Sequence, residues 1–242
     1  MTRLVKGGLS IVILMLGVAS TLAGPVVTIA PELKAVLDRF EHAQQGIQSL
    51  RTNVVETRVL ALLAKPEVLR GQLTFDQGKV RFEYREPEAR TYVLNDGKLT
   101  GWIPAQNRVE EANVSRRVSR LKKVFALGQA SSELIKDFSI TLVEKSSVAG
   151  TDELVLVPNS KRIQKRIAEV RLWLDKEVGL PKQMHYVTGD GNKITYQFTA
   201  MQVNPEVPAA TFVLRIPANA KVVKGVQSLG VVTSGTDIDE EL

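Results

Sequence analysis

The chain contains no cysteine. Disulfides, thiolate nucleophiles and cysteine-ligated metals are therefore excluded, and an exported fold of this sequence must rest on its core and sheet alone. Histidine is nearly as scarce, with only His42 and His185 present. Nucleophilic catalysis needs a nucleophile with a base beside it. His42 falls next to Glu41 on a predicted helix and His185 lies in a predicted strand, so both read as surface or packing residues. The strings HExxH, GxSxG, GxGxxG and the P-loop do not occur. Gly189-Asp190-Gly191 is a hairpin turn too short to cradle a phosphate. Carboxylates are scattered (Glu83 and Glu86, Glu110 and Glu111), and nothing selects a pair for glycoside chemistry. The expectation is a protein that is not an enzyme and has no cofactor. Aromatic residues make up 5% of the chain, which poorly supplies a stacking platform for single-stranded nucleic acid. Only 24% of residues are charged against 44% apolar, so a globular domain is expected and wholesale disorder is not.

Long apolar runs are also lacking, with one exception. Leu9 to Val18 follows Arg3 and Lys6 and precedes Thr21-Leu22-Ala23. This is the pattern of a secretory signal at residues 1–23, cleaved before Gly24. The run is short for a membrane span of about 20 residues. No cysteine follows it, so lipid attachment at a lipobox is excluded. Export makes nucleic acid an unsuitable partner. Removing Arg3 and Lys6 lowers the formal charge from +6 to +4, and a basic exported chain suits an anionic membrane or an acidic partner.

What the sequence does have is β-pattern. From Gly71 to Pro104 it reads as three or four consecutive antiparallel strands. Leu73 and Phe75 alternate with polar residues, and Asp76-Gln77-Gly78 supplies a turn. Val80, Phe82 and Tyr84 then alternate with Arg81, Glu83 and Arg85. Pro87 ends that strand. Tyr92-Val93-Leu94 begins another, and Asn95-Asp96-Gly97 is a strong hairpin signal before Leu99 to Ile103 returns. One face carries Leu73, Phe75, Val80, Phe82 and Tyr84, and that face must cover something apolar.

Around this meander, Pro31 to Leu50 is predicted as an amphipathic helix, with Pro31 at its first position and Leu33, Val36, Leu37, Phe40, Ile47 and Leu50 at helical spacing. Thr52 to Leu63 is predicted as a strand in which Val55, Thr57 and Val59 alternate with Glu56 and Arg58. Arg108 to Val114 is one more short strand. Ser115 to Gly128 switches to helical spacing, with Arg116, Arg117, Arg120, Lys122 and Lys123 between its apolar residues. This basic segment reads as a solvated face or as a contact with a partner or an anionic membrane. A short helix is expected at Ser132 to Asp137. Strands return at Phe138–Val143, Glu153–Val157, Ile167–Asp175, Pro181–Val187 and from Ile194, with a last one at Thr211–Leu214. Roughly ten strands joined by short turns argue for a mainly β (α+β) fold. It is expected to be a large curved antiparallel sheet, half-open rather than closed, with helices on the concave side. Residues 223–242, rich in glycine and ending in Asp237-Ile238-Asp239-Glu240-Glu241, are expected to form a flexible acidic tail.

Several strings, in order, resemble the LolA-like family of periplasmic lipoprotein carriers (outer-membrane lipoprotein sorting proteins). Ile47-Gln48-Ser49-Leu50 is similar to the family's stretch before its first strand. Gly71-Gln72-Leu73-Thr74-Phe75, Lys79 to Tyr84 and Pro87 resemble its "G-x-L … R-x-x-Y-x-x-P" meander. Tyr92 to Lys98 followed by Trp102 resembles its "V-x-D-G-K-x-x-W" string. Leu154 to Pro158, Val170 to Asp175, Gly179-Leu180-Pro181 and Phe212 repeat its cadence. The resemblance covers about Pro31 to Val222 and implies a carrier domain at residues 24–222. It also implies an unclosed β-barrel whose apolar cavity, lidded by helices, holds lipoprotein acyl chains. On that likeness the chain is a monomer that takes cargo from an inner-membrane transporter to an outer-membrane acceptor. The acyl-contacting residues expected by position are Phe40, Leu73, Phe75, Val80, Phe82, Tyr84, Tyr92, Leu94 and Trp102. One feature departs from the best-known members, which have a basic residue and a proline in the turn occupied here by Asp76-Gln77-Gly78-Lys79. Two other readings stand beside this one. One is an envelope regulatory or interaction protein that uses the same fold with a filled core. The other is a hydrolase acting on envelope lipid or glycan.

Overall fold

The computed structural model describes residues 30–61, 64–114 and 131–226. The expected signal peptide, the basic segment from Arg116 to Lys123 and most of the acidic tail lie outside those residues. Helix α1 is Pro31–Gln44. Strands β1 (Ser49–Val59), β2 (Glu67–Asp76), β3 (Lys79–Glu86), β4 (Arg90–Asn95), β5 (Lys98–Ile103) and β6 (Arg108–Asn113) follow. After α2 (Ser131–Asp137) come β7 (Phe138–Val143), β8 (Thr151–Pro158), the one-turn α3 (Lys161–Gln164), β9 (Ile167–Asp175), β10 (Pro181–Thr188) and β11 (Lys193–Val203). A 3₁₀ turn at Ala209–Phe212 leads to β12 (Lys221–Lys224).

All twelve strands belong to one sheet, in the order β12-β6-β5-β4-β3-β2-β1-β11-β10-β9-β8-β7. The two end strands do not pair with each other, so the curved sheet stays open. Every neighbouring pair is antiparallel except β12–β6, which is parallel. The hairpins follow from turn chemistry. Gln77-Gly78 and Asp96-Gly97 have positive φ at both positions, the geometry that matches the twist of two flanking strands. Val36, Leu37 and Phe40 of α1 enter one core with Val54, Tyr84, Leu154, Leu172 and Tyr196 from the sheet. Helix α1 therefore covers the concave face.

Three sequence expectations change. The first helix stops at Gln44, because Gln45 is already extended; Leu50 belongs to β1. Thr211–Leu214 is not a strand; Ala209–Phe212 is a 3₁₀ turn whose Phe212 lies under Lys79. The expected tail begins later than 223, since Val223 and Lys224 pair with Glu110 and Glu111 and Val226 is fully buried in the core. In β1, where alternation left the inward side open, the structure buries Glu56 and Arg58 and leaves Val59 45% exposed.

Candidate functional site

Register defines the inner face layer by layer. Leu50 of β1 stands opposite Phe75, which pairs with Val80, which pairs with Leu94. The next layer is Thr52, Leu73, Phe82 and Tyr92, and the next Val54, Gly71 and Tyr84. Beyond them come Glu56 with Leu69, then Arg58 with Glu67. On the far side of β1, Phe198, Tyr196 and Ile194 stand opposite Val54, Glu56 and Arg58.

Two glycines make this packing possible. A Cβ on Gly71 would sit 2.0 Å from the Glu83 carbonyl oxygen, so β3 can approach β2 this closely only over glycine. At Gly101 a Cβ would meet the Tyr92 ring at 2.8 Å, so the ring lies where that side chain would be. All four tyrosines of the chain, Tyr84, Tyr92, Tyr186 and Tyr196, are buried at 1% exposure on the inner face. Tyr84 meets Tyr92 edge-on at 6.2 Å, Phe82 stacks on Tyr84 at 6.0 Å, and Tyr196 stacks between Tyr186 at 6.3 Å and Phe198 at 6.4 Å. Such geometries are the favourable ones for aromatic quadrupoles.

The tyrosines converge on a carboxylate. Tyr84 donates its hydroxyl hydrogen bond to Glu56 Oε2, and Tyr196 donates to Glu56 Oε1 at 3.2 Å. Arg58 Nε donates to the same Oε1 at 2.6 Å, with side-chain exposures of 4% for Arg58 and 0% for Glu56. Arg58 continues to Glu67 at 3.3 Å, and Glu67 to Arg90 at 3.2 Å. Burial alone would lower the Arg58 pKa, but the Glu56 carboxylate outweighs it and raises it above the ordinary arginine value. Burial, reinforced by the Glu56 charge, pushes the Tyr84 and Tyr196 phenols well above their ordinary range. In this layer each carboxylate faces an arginine, and Arg90 reaches on to Glu88 at 3.2 Å.

The structure brings eight of the nine expected acyl-contacting residues to this side. Phe40, Tyr84 and Tyr92 are fully buried in the core. Phe82 and Leu94 are partly buried against it, and Leu73, Phe75 and Val80 follow half-buried toward the β2–β3 turn. Trp102 is the exception. It stands opposite Thr91 and Val109 on the other face of the sheet. There it lines a cleft of about 410 Å³ with Arg81, Glu83 and the segment Ala210–Arg215. The inner position beside it is taken by Gly101 and the Tyr92 ring. Sequence reasoning also missed Glu56, Arg58, Tyr196 and Phe198. The available signal was a Glu-x-Arg pair inside an otherwise β-branched strand.

His185 lies on the outward face, where its Nδ1 is 2.9 Å from the Thr195 hydroxyl. Burial lowers its pKa. No group of three His, Asp or Glu able to hold a metal occurs among the described residues. None of the helices among them is long and apolar enough to cross a membrane.

The chain matches known proteins on this frame. An outer-membrane lipoprotein carrier protein of Cupriavidus pinatubonensis is 24% identical over 196 residues, covering 79% of this chain and 89% of the relative. An uncharacterized conserved protein from Thermus thermophilus has a similar fold, with a TM-score of 0.50 at 13% identity, covering 80% of this chain and 99% of that one. The lipoprotein LppX of Mycobacterium tuberculosis aligns at a TM-score of 0.47 and 11% identity, covering 74% and 99% of the two chains. Residues 45–215 match the family described as outer membrane lipoprotein carrier protein LolA, and the chain belongs to that family.

Proposed function

We propose that the chain is a non-catalytic periplasmic carrier that buries the acyl chains of lipoproteins or lipids against its inner face and shuttles them toward the outer membrane. The observation that carries this reading is the half-buried apolar strip of Leu73, Phe75, Val80, Phe82 and Leu94, which faces the helix side of an open sheet. The carrier relative from Cupriavidus pinatubonensis supports the class of cargo. Each methylene transferred to such a surface contributes about 0.8 kcal/mol, so one or two acyl chains supply ample affinity. Release follows when an acceptor binds the cargo better. An inner-membrane transporter would load the carrier and an outer-membrane acceptor would unload it. The basic residues Arg116, Arg117, Arg120, Lys122 and Lys123 are assigned to contact with such a partner or the membrane surface.

A second reading rests on Phe40, Tyr84 and Tyr92 being fully buried. A core already filled suits an envelope interaction protein. Mass spectrometry of the mature chain isolated from the periplasm separates the two. The carrier reading expects an acylated protein or stoichiometric lipid that is lost in Phe82→Asp or Val80→Glu while the far-ultraviolet spectrum is unchanged. A clean, empty protein that also ignores a fluorescent acyl probe would establish the interaction protein.

A further inference from the structure

The inner face changes character along the strands. Toward the β2–β3 turn its apolar residues are half-buried; toward the β3–β4 turn it ends in buried charge. Both Glu56 oxygens are occupied, Oε2 by Tyr84 and Oε1 by Tyr196 and Arg58. Arg58 is tied onward to Glu67, and Glu67 to Arg90. These side chains come from β1, β2, β3, β4 and β11, so the layer spans the middle of the sheet. Tyr84 and Tyr196 form its upper surface, with their rings toward Phe82 at 6.0 and 6.4 Å and their hydroxyls toward the carboxylate.

From this we infer that the Glu56–Arg58–Glu67–Arg90 layer, capped by Tyr84 and Tyr196, is the floor of the acyl slot and sets the length of chain that the protein accepts. The inference rests on the carrier reading above. The physical reason is an asymmetry. A chain long enough to reach the floor gains only the burial of its next methylenes. To pass, it must part Glu56 from its donors and leave a buried charge uncompensated, which costs more than those methylenes return. Apolar ligands therefore stop at the tyrosine rings. A buried ion pair, Glu56 and Arg58, backed by the half-buried Glu67 and Arg90, discriminates by length, where an all-apolar bottom would let chains of any length thread between the strands.

The test measures displacement of a pyrene-labelled fatty acid by saturated fatty acids of increasing length. It compares the mature protein with the double variant Glu56→Gln/Arg58→Met, which keeps side-chain volume and removes the charges. In the native protein, affinity is expected to rise about fourfold per methylene up to a limiting length and then to stop rising. In the variant the limit is expected to move to longer chains. The same limit in both proteins, or none in the native one, overturns the floor while leaving the carrier reading intact. Failure of the native protein to bind the pyrene probe removes the carrier reading and this inference with it. A second measurement needs no variant. A fatty acid with a photoreactive diazirine at its terminal carbon is expected to label the peptides holding Tyr84 and Tyr196. Labelling confined to α1 or β7 overturns the inference.

Discussion

Removing Arg58 while keeping Glu56 tests the account of the interior most directly. Arg58→Met fills nearly the same volume but leaves the Glu56 carboxylate, 0% exposed, with two phenol donors and no adjoining cation. Breaking a buried pair by deleting one partner costs about 3–5 kcal/mol. In a chain of this size that corresponds to a Tm lowered by about 10–15 °C. The loss is a large part of the total stability of about 5–15 kcal/mol that a folded domain has. Adding Glu56→Gln to the same protein removes the stranded charge and still offers an amide oxygen to one phenol. The double variant is expected to recover to within about 2 kcal/mol of the native protein. The exposed pair Lys34–Asp38, with side chains 65% and 53% accessible, is the control; its removal is expected to cost below about 0.5 kcal/mol. Urea titration followed by far-ultraviolet circular dichroism measures all four proteins, read as midpoint changes at constant slope. If Arg58→Met costs no more than the Lys34 control, or if the double variant is less stable than Arg58→Met, Glu56 and Arg58 do not compensate each other and the reasoning fails.

Two further outcomes concern the sheet. Gly71→Ala places a methyl 2.0 Å from the Glu83 carbonyl oxygen. It should destabilise by about 3 kcal/mol, seen as a lower urea midpoint; a neutral effect would mean that β2 and β3 can separate there freely. Asp175 accepts hydrogen bonds from Lys182, at 2.6 Å, and from the backbone of Val178 and Glu177, and these hold its pKa down at about 2. A depressed carboxylate pKa contributes stability that is fully present above its unfolded value near 4 and is lost as pH falls from about 4 to about 2. Because Lys182 is half exposed, Asp175→Asn is expected to cost about 1–2 kcal/mol at neutral pH. The gap to the native protein should close at pH 2, and a gap independent of pH would contradict the assignment.

The meander was legible because its signals are local. Turn pairs with positive φ at Gln77-Gly78 and Asp96-Gly97 need residues that tolerate it, and the two-residue period of Val80, Phe82 and Tyr84 needs only a sheet with one covered face. The residues expected to contact acyl chains lie together on the inner face, apart from Trp102. It falls on the other side because its neighbour Gly101 gives its place to the Tyr92 ring. The parallel β12 was unreadable, since its partner β6 lies more than a hundred residues earlier in the chain.

The sequence by itself determined the class of structure: an open meandering sheet with an early amphipathic helix and no thiol. Hydrogen-bond periodicity and turn sterics act over a few residues, so composition and spacing suffice to write them. Only the tertiary structure decided which side of β1 faces inward. Alternation defines two faces but does not rank them, and by polarity alone Glu56 and Arg58 belong outside. They are inside because Tyr84 and Tyr196, 28 and 140 residues further along the chain, arrive with the hydroxyls that a buried carboxylate requires. A charge can be buried only where its partners are delivered, and that delivery is a property of the folded sheet.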